Sequence, residues 1–258
     1  PLFASVTDRS TASARSASNP FGYVACSPLQ FVDHEGTDLR LAASVSRREM
    51  RQVRRRLRTM TNDRISVRRA DDGTWDVSIR RHRGGHQVEG TRLVRDLENA
   101  HDRSGNPLTI TIDVAYGLSG GSTAEPTSRP NDTNGQGSGA LIRFDPTFSL
   151  TADVRGQLPG SRAVGRGDVP NWAILAHELI HAHHYVQGNV SRVRQANTWT
   201  DASGVPQTQL ASTEEYRTIG LPGFASANDI TEHRLLTERS RYALPRNRRL
   251  ADRLRLAH

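Results

Sequence analysis

The sequence predicts an α+β domain in which a small mixed sheet packs on one long helix and the C-terminal part of the chain is helical. Three observations carry that expectation. Short runs alternate apolar and polar residues, two stretches space apolar residues by three and four, and one long segment at 168–188 has helix start and stop signals at its ends. The chain has 258 residues, enough to bury one substantial core without staples.

Residues 1–40 are expected to be a mostly disordered leader preceding a domain at 41–258. The first twenty residues are rich in Ser, Thr and Ala with few large apolar side chains, so ordering them would cost more entropy than their burial returns. From Ser46 to Met60, the residues Met50, Val53, Leu57 and Met60 recur at helical intervals with Arg on the other faces, giving an amphipathic helix. Ile65 and Val67 then alternate with polar residues, Asp71-Asp72-Gly73 supplies turn chemistry, and Trp75, Val77 and Ile79 alternate again, which predicts a hairpin. A second helix is expected from about Val88 to Asp102, and Leu108, Ile110, Ile112 and Val114 predict a strand. The tract Gly117–Gly139 is so rich in Gly, Ser, Thr, Pro and Asn that it reads as a long loop or flap. Ala140–Phe144 is a further short strand.

Composition excludes several function classes. Cys26 is the sole cysteine, so no intramolecular disulfide and no Cys-rich metal site can form, and a bound metal must use His and carboxylates. No apolar run reaches the roughly 18 to 20 residues that span a bilayer, and no secretory signal pattern opens the chain. The net charge is +8, and every basic residue is arginine. Codon bias is one reading of this, and the absence of ubiquitin acceptors in a protein acting inside a foreign cell is another. The arginines are scattered, and no nucleic-acid module accompanies them, so nucleic acid is not the expected partner. The domain is expected to be a monomer.

The segment from Asp168 through Gly188 predicts a complete helix, with Asp168 as N-cap, Pro170 in the first turn and Gly188 just past the end. His177-Glu178-Leu179-Ile180-His181 lies within it, and His177, His181 and His184 succeed one another along one face. Imidazoles at i and i+4 aim their lone pairs at one ion, as tetrahedral Zn²⁺ requires. Glu178 sits beside that ion, too near the first His to ligate comfortably, where it can act as general base toward a water acidified by the metal. A third protein ligand is needed. A His six residues after His181 would make one protease class, but that position is Gln187. His184 points along the helix axis and is better placed to buttress a ligand. A carboxylate from a later helix remains, and Thr213-Glu214-Glu215-Tyr216-Arg217-Thr218-Ile219-Gly220 supplies Glu215. Glu214 and Glu232 are candidate partners for the ring N–H groups of the histidines.

These motifs, His177-Glu178-Leu179-Ile180-His181-Ala182 with His184 and Gly188, followed by Glu214-Glu215-Tyr216-Arg217-Thr218-Ile219-Gly220, resemble the active-site pair of clostridial neurotoxin light chains. The resemblance implies a zincin-like metalloprotease fold with His177, His181 and Glu215 on zinc and Glu214 behind them. It also implies an Arg-x-x-Tyr that stabilises the oxyanion, matched here by Arg239-Ser240-Arg241-Tyr242. In size and in the stretch Ile230-Thr231-Glu232-His233 to Leu244-Pro245-Arg246, the chain is similar to the NleD-type family of type III secreted zinc peptidases. What that family implies is secretion, action in the host cell cytoplasm, and cleavage of a host signalling protein, protein kinases being the known target class. In zincins an edge strand before the metal helix pairs with substrate backbone, and Ala140–Phe144 is either that strand or an ordinary sheet strand. The competing expectation is a zinc-bearing module that binds a host protein without cutting it, against which the intact Glu178 argues.

Overall fold

The structure, a computed structural model, describes residues 39–118, 121–154, 165–201 and 203–241, with backbone alone for 151–154, 165–167, 240 and 241. By its contacts the chain divides into residues 1–35 and 36–258. The leader expected at 1–40 lies outside the described residues except for its last two. Those two begin a strand, Leu39–Leu41 (β1), in which Leu39 and Leu41 are fully buried.

Arg47–Met60 forms α1. Ser46 starts it with a reciprocal capping box, its Oγ accepting from Glu49 N while Glu49 accepts from Ser46 N at 2.8 Å. Val53, Leu57 and Met60 are the buried edge of the helix. The predicted hairpin is present as Arg64–Arg69 (β2) and Trp75–Arg81 (β3), with Ile65 opposite Ile79 and Val67 opposite Val77. Val88–Glu98 (α2) ends a turn earlier than the apolar pattern suggests. Its N-terminus has no side-chain cap of its own and is instead closed by Glu238, whose carboxylate accepts from Glu89 N at 3.0 Å.

Ile110–Val114 (β4), Ser122–Pro126 (β5) and Ala140–Phe144 (β6) complete a mixed six-stranded sheet of order β2-β3-β1-β4-β6-β5. Its centre is parallel, Leu39 pairing with Ile110 and Ile110 with Ala140, while both flanks are antiparallel. The Gly117–Gly139 tract is therefore not a free loop. It contains β5, which takes the sheet edge, and Ala140–Phe144 is an interior strand. The rest of the tract is pinned to the end of the long helix, Asn171–Gln187 (α3), by Ser138 N to Tyr185 O and Gly135 N to Gly188 O, both 2.8 Å.

Two hairpins flank α3. Leu150–Val154 (β7) pairs with Gly165–Val169 (β8) before it, and Arg194–Thr200 (β9) pairs with Pro206–Ser212 (β10) after it. Asp168 consequently lies in β8, and Pro170 occupies the N-cap of α3. The segment 189–209 is mostly this second hairpin. Thr213–Ile219 (α4) and Glu232–Arg241 (α5) complete the described elements. Helix α3 packs on β5, β6 and the four other described helices, so it is buried nearly all round, His181, His183, His184 and Glu178 included.

Candidate metal centre

Gly188 ends α3 in the left-handed conformation, φ 65°, and donates to the carbonyls of His184 and Tyr185. The intact helix thus sets His177 and His181 one turn apart, their ring centroids 4.7 Å from each other. Their Nε2 atoms face each other at 3.1 Å. Helix α4 brings the third donor. Ser212 caps it, accepting from Glu215 N at 3.3 Å, and acids in its first turn are favoured by the helix dipole. Glu215 Oε2 lies 3.2 Å from His177 Nε2 and its Oε1 lies 3.3 Å from His181 Nε2.

The other face of each ring is held by a carboxylate. His177 Nδ1 is 3.1 Å from Glu232 Oε2, at the start of α5. His181 Nδ1 is 3.4 Å from Thr218 Oγ1 and 3.5 Å from Glu214 Oε1. With Nδ1 carrying the proton toward these acceptors, both Nε2 lone pairs are left turned to Glu215. Glu214 also accepts from the buried His184 Nδ1, from Thr218 Oγ1 at 3.4 Å and from Ser191 N at 3.3 Å. His184 is thereby a buttress of Glu214 and stands outside the group of donors that converge.

A tetrahedral zinc site with arms of about 2.0–2.1 Å has edges of about 3.3–3.4 Å; the two Nε2 atoms lie 3.1 Å apart, and each has one Glu215 oxygen close to that span, Oε2 at 3.2 Å from His177 and Oε1 at 3.3 Å from His181. Two imidazole nitrogens and one carboxylate form a donor set suited to zinc. Electrostatics agree. Burial works against ionising Glu214 and Glu215, yet the imidazoles beside them hold both carboxyls far below the ordinary range. Burial likewise pushes the His177 imidazole down, but its bonds to Glu215 and Glu232 outweigh that and hold it well above its usual value. The pocket favours positive charge, which a metal supplies in place of protons.

Glu178, next to His177, is 7% exposed, and Ser122 Oγ on β5 donates to its Oε1 at 2.8 Å. The structure thus brings together His177, Glu178, His181, His184, Glu214, Glu215 and Glu232. Arg239 is exposed on α5, and Tyr242 lies outside the described residues. Three neighbours were missed from sequence: Ser122, Ser191 and Thr218. Thr218 follows Glu214 by one helical turn, a spacing that could have flagged it, whereas no local signal marks Ser122 or Ser191. His183 is buried, with Nε2 3.1 Å from Asp96 Oδ2.

Residues 61–249 match the peptidase M91 family, described as effector protein. Among solved structures, the chain is similar to the apo, zinc-removed form of the botulinum neurotoxin type C light chain, at 16% identity and a TM-score of 0.34. It is also similar to the botulinum neurotoxin serotype C1 light chain protease, at 16% identity and a TM-score of 0.32. Both alignments cover 59% of this chain and 41% of the other, so the chain spans well under half the length of those proteins. No curated protein sequence matches.

Proposed function

The chain belongs to the peptidase M91 family of effector proteins, and from that premise we propose that it is a zinc-dependent endopeptidase that cleaves a host protein. The observation that carries this reading is the convergence of His177 Nε2, His181 Nε2 and Glu215 on one point, with both Nδ1 atoms committed to acceptors behind them. In this reading His177, His181 and Glu215 hold the metal. A bound zinc ion supplies Lewis acidity, polarising a carbonyl and bringing the pKa of water toward neutrality.

The chain's own groups do the rest. Glu178 accepts the proton of the attacking water and returns it to the leaving amine. Glu232 and Glu214 keep the rings in the tautomer that leaves Nε2 free. Arg239 follows Glu232 by seven residues and therefore shares its helix face, about 10 Å further along the axis. It and Tyr242 are the proposed donors to the oxyanion. The description of the family as effector supports delivery into a host cell, and the resemblance of the motifs to type III secreted peptidases makes a signalling protein, a protein kinase first, the proposed substrate.

Incubation with host-cell lysate, with and without chelator, followed by mass spectrometry of new peptide N-termini tests the proposal. Cleavage that chelator and Glu178→Gln both abolish is the expected result. Stoichiometric zinc without any new terminus would overturn it in favour of a binding module.

A further inference from the structure

We infer that Ser122, on the edge strand, is a positioning residue for the general base, an inference that rests on the peptidase reading above. Its hydroxyl donates to Glu178 Oε1 at 2.8 Å. A carboxylate has two oxygens, and one bond of this kind fixes the plane of the group and assigns the other oxygen, Oε2, to the proton that moves. Glu178 needs such a hold. It sits on a helix whose neighbouring side chains are locked by packing and hydrogen bonds, and a long carboxylate left to choose among rotamers would spend part of its time away from the reacting water.

The backbone around Ser122 is itself anchored. Ser122 pairs with Phe144 at the end of the β5–β6 ladder, and Phe144 is fully buried. Gly121, just before it, accepts from Asp145 N at 2.8 Å. Two residues on, Ala124 O accepts from Tyr185 OH at 3.1 Å. Strand β5 is thus stapled to α3 at two points, Ser122 to Glu178 and Ala124 to Tyr185, on residues of α3 seven apart and hence on one helix face. Ser122 is the staple that touches the base. Because β5 is the edge of the sheet, a peptide lying along it would bear on the same strand that orients Glu178, linking substrate seating to the alignment of the base.

The test compares wild type, Ser122→Ala and Ser122→Thr as full chains loaded with zinc. The probe is a quenched fluorescent peptide spanning the bond that wild type cuts in host lysate. Zinc stoichiometry and thermal unfolding are measured alongside. Ser122→Ala is expected to lower kcat about ten- to a hundred-fold, with KM within about twofold, zinc bound one to one and the melting temperature nearly unchanged. Ser122→Thr keeps the hydroxyl on a strand-favouring side chain and is expected to recover most of kcat. A kcat for Ser122→Ala within about twofold of wild type overturns the inference. So does a loss that Ser122→Thr fails to restore, or one accompanied by loss of zinc. If wild type itself cuts nothing, it is the peptidase reading that falls.

Discussion

The Nε2 atoms of His177 and His181 face each other at 3.1 Å while the two Nδ1 atoms are turned away to different acceptors, Glu232 in one case and Glu214 with Thr218 in the other. Two neutral imidazoles gain nothing from such an approach by themselves, since a lone pair then faces a lone pair. With a cation between them and Glu215 as a third donor, the same distance becomes the edge of a coordination polyhedron. The outward bonds are what prevent either ring from rotating out of it.

The proposed base and the proposed ligands are separable. Glu178→Gln removes proton transfer but no proposed ligand, and is expected to keep one zinc per chain while kcat/KM falls by about 10² to 10⁴. Metal analysis and peptide hydrolysis on the same preparation check this. His181→Ala should lose both.

Glu214→Gln weakens the hold on His181 and His184 together, whereas Glu232→Gln weakens that on His177 alone. Each is expected to lower zinc affinity about 10- to 100-fold, with Glu214→Gln the more destabilising of the two because the fully buried His184 loses its charged partner. Competition with a zinc chelator of known affinity measures the first effect, and urea unfolding the second. For wild type, zinc at about a hundred times its dissociation constant should add about 2.7 kcal/mol of stability, removed again by chelator.

Asp229 ties the loop before α5 to α4 and so steadies the approach of Glu232. Burial disfavours its ionised form, but Arg217 at 2.8 Å and Ser226 N at 2.7 Å hold its carboxyl down at about 2. A carboxylate with a depressed folded-state pKa stabilises above its unfolded value, near 3.8, and that contribution fades as pH falls from about 4 to about 2. Asp229→Asn is expected to cost about 2 kcal/mol at pH 7 and to flatten the acid limb of the stability curve. Chemical denaturation across that range reads both.

Gly188→Ala tests the stop of α3. The residue sits at φ 65°, and an added Cβ would lie 2.8 Å from the backbone of Gly135 and Gly137. Conformational strain and this contact, with backbone that cannot swing aside, should cost about 1–3 kcal/mol, measured as a lower urea midpoint.

Much of the site was legible because it is local. The i, i+4 histidines with Glu178 between them, the Gly stop after α3, and Glu214-Glu215 at the start of a short helix all follow from helical periodicity and capping chemistry. The amphipathic α1 and the β2–β3 hairpin were equally plain, since their apolar residues carry the period of the element. Strand β5 was not. Ser122-Thr-Ala-Glu-Pro126 has no apolar alternation, because an edge strand is held by backbone pairing to β6 and needs little side-chain burial. Asp168 misled for the opposite reason: it is a good cap residue, but pairing of β8 with β7 claims its backbone first, and the N-cap passes to Pro170.

By itself, then, the amino-acid sequence determined which donors exist and how those on one helix are spaced, since rise and twist per residue are set by backbone sterics alone. Only the tertiary structure brings Glu215, 38 residues from His177, within 3.2 Å of its Nε2, sets Glu232 behind that ring and Glu214 behind the His181 ring, and shows that Ser122 reaches Glu178 across 56 residues. Those pairings depend on how the sheet and five helices bury their apolar faces together, a sum over many weak contacts that no local pattern encodes.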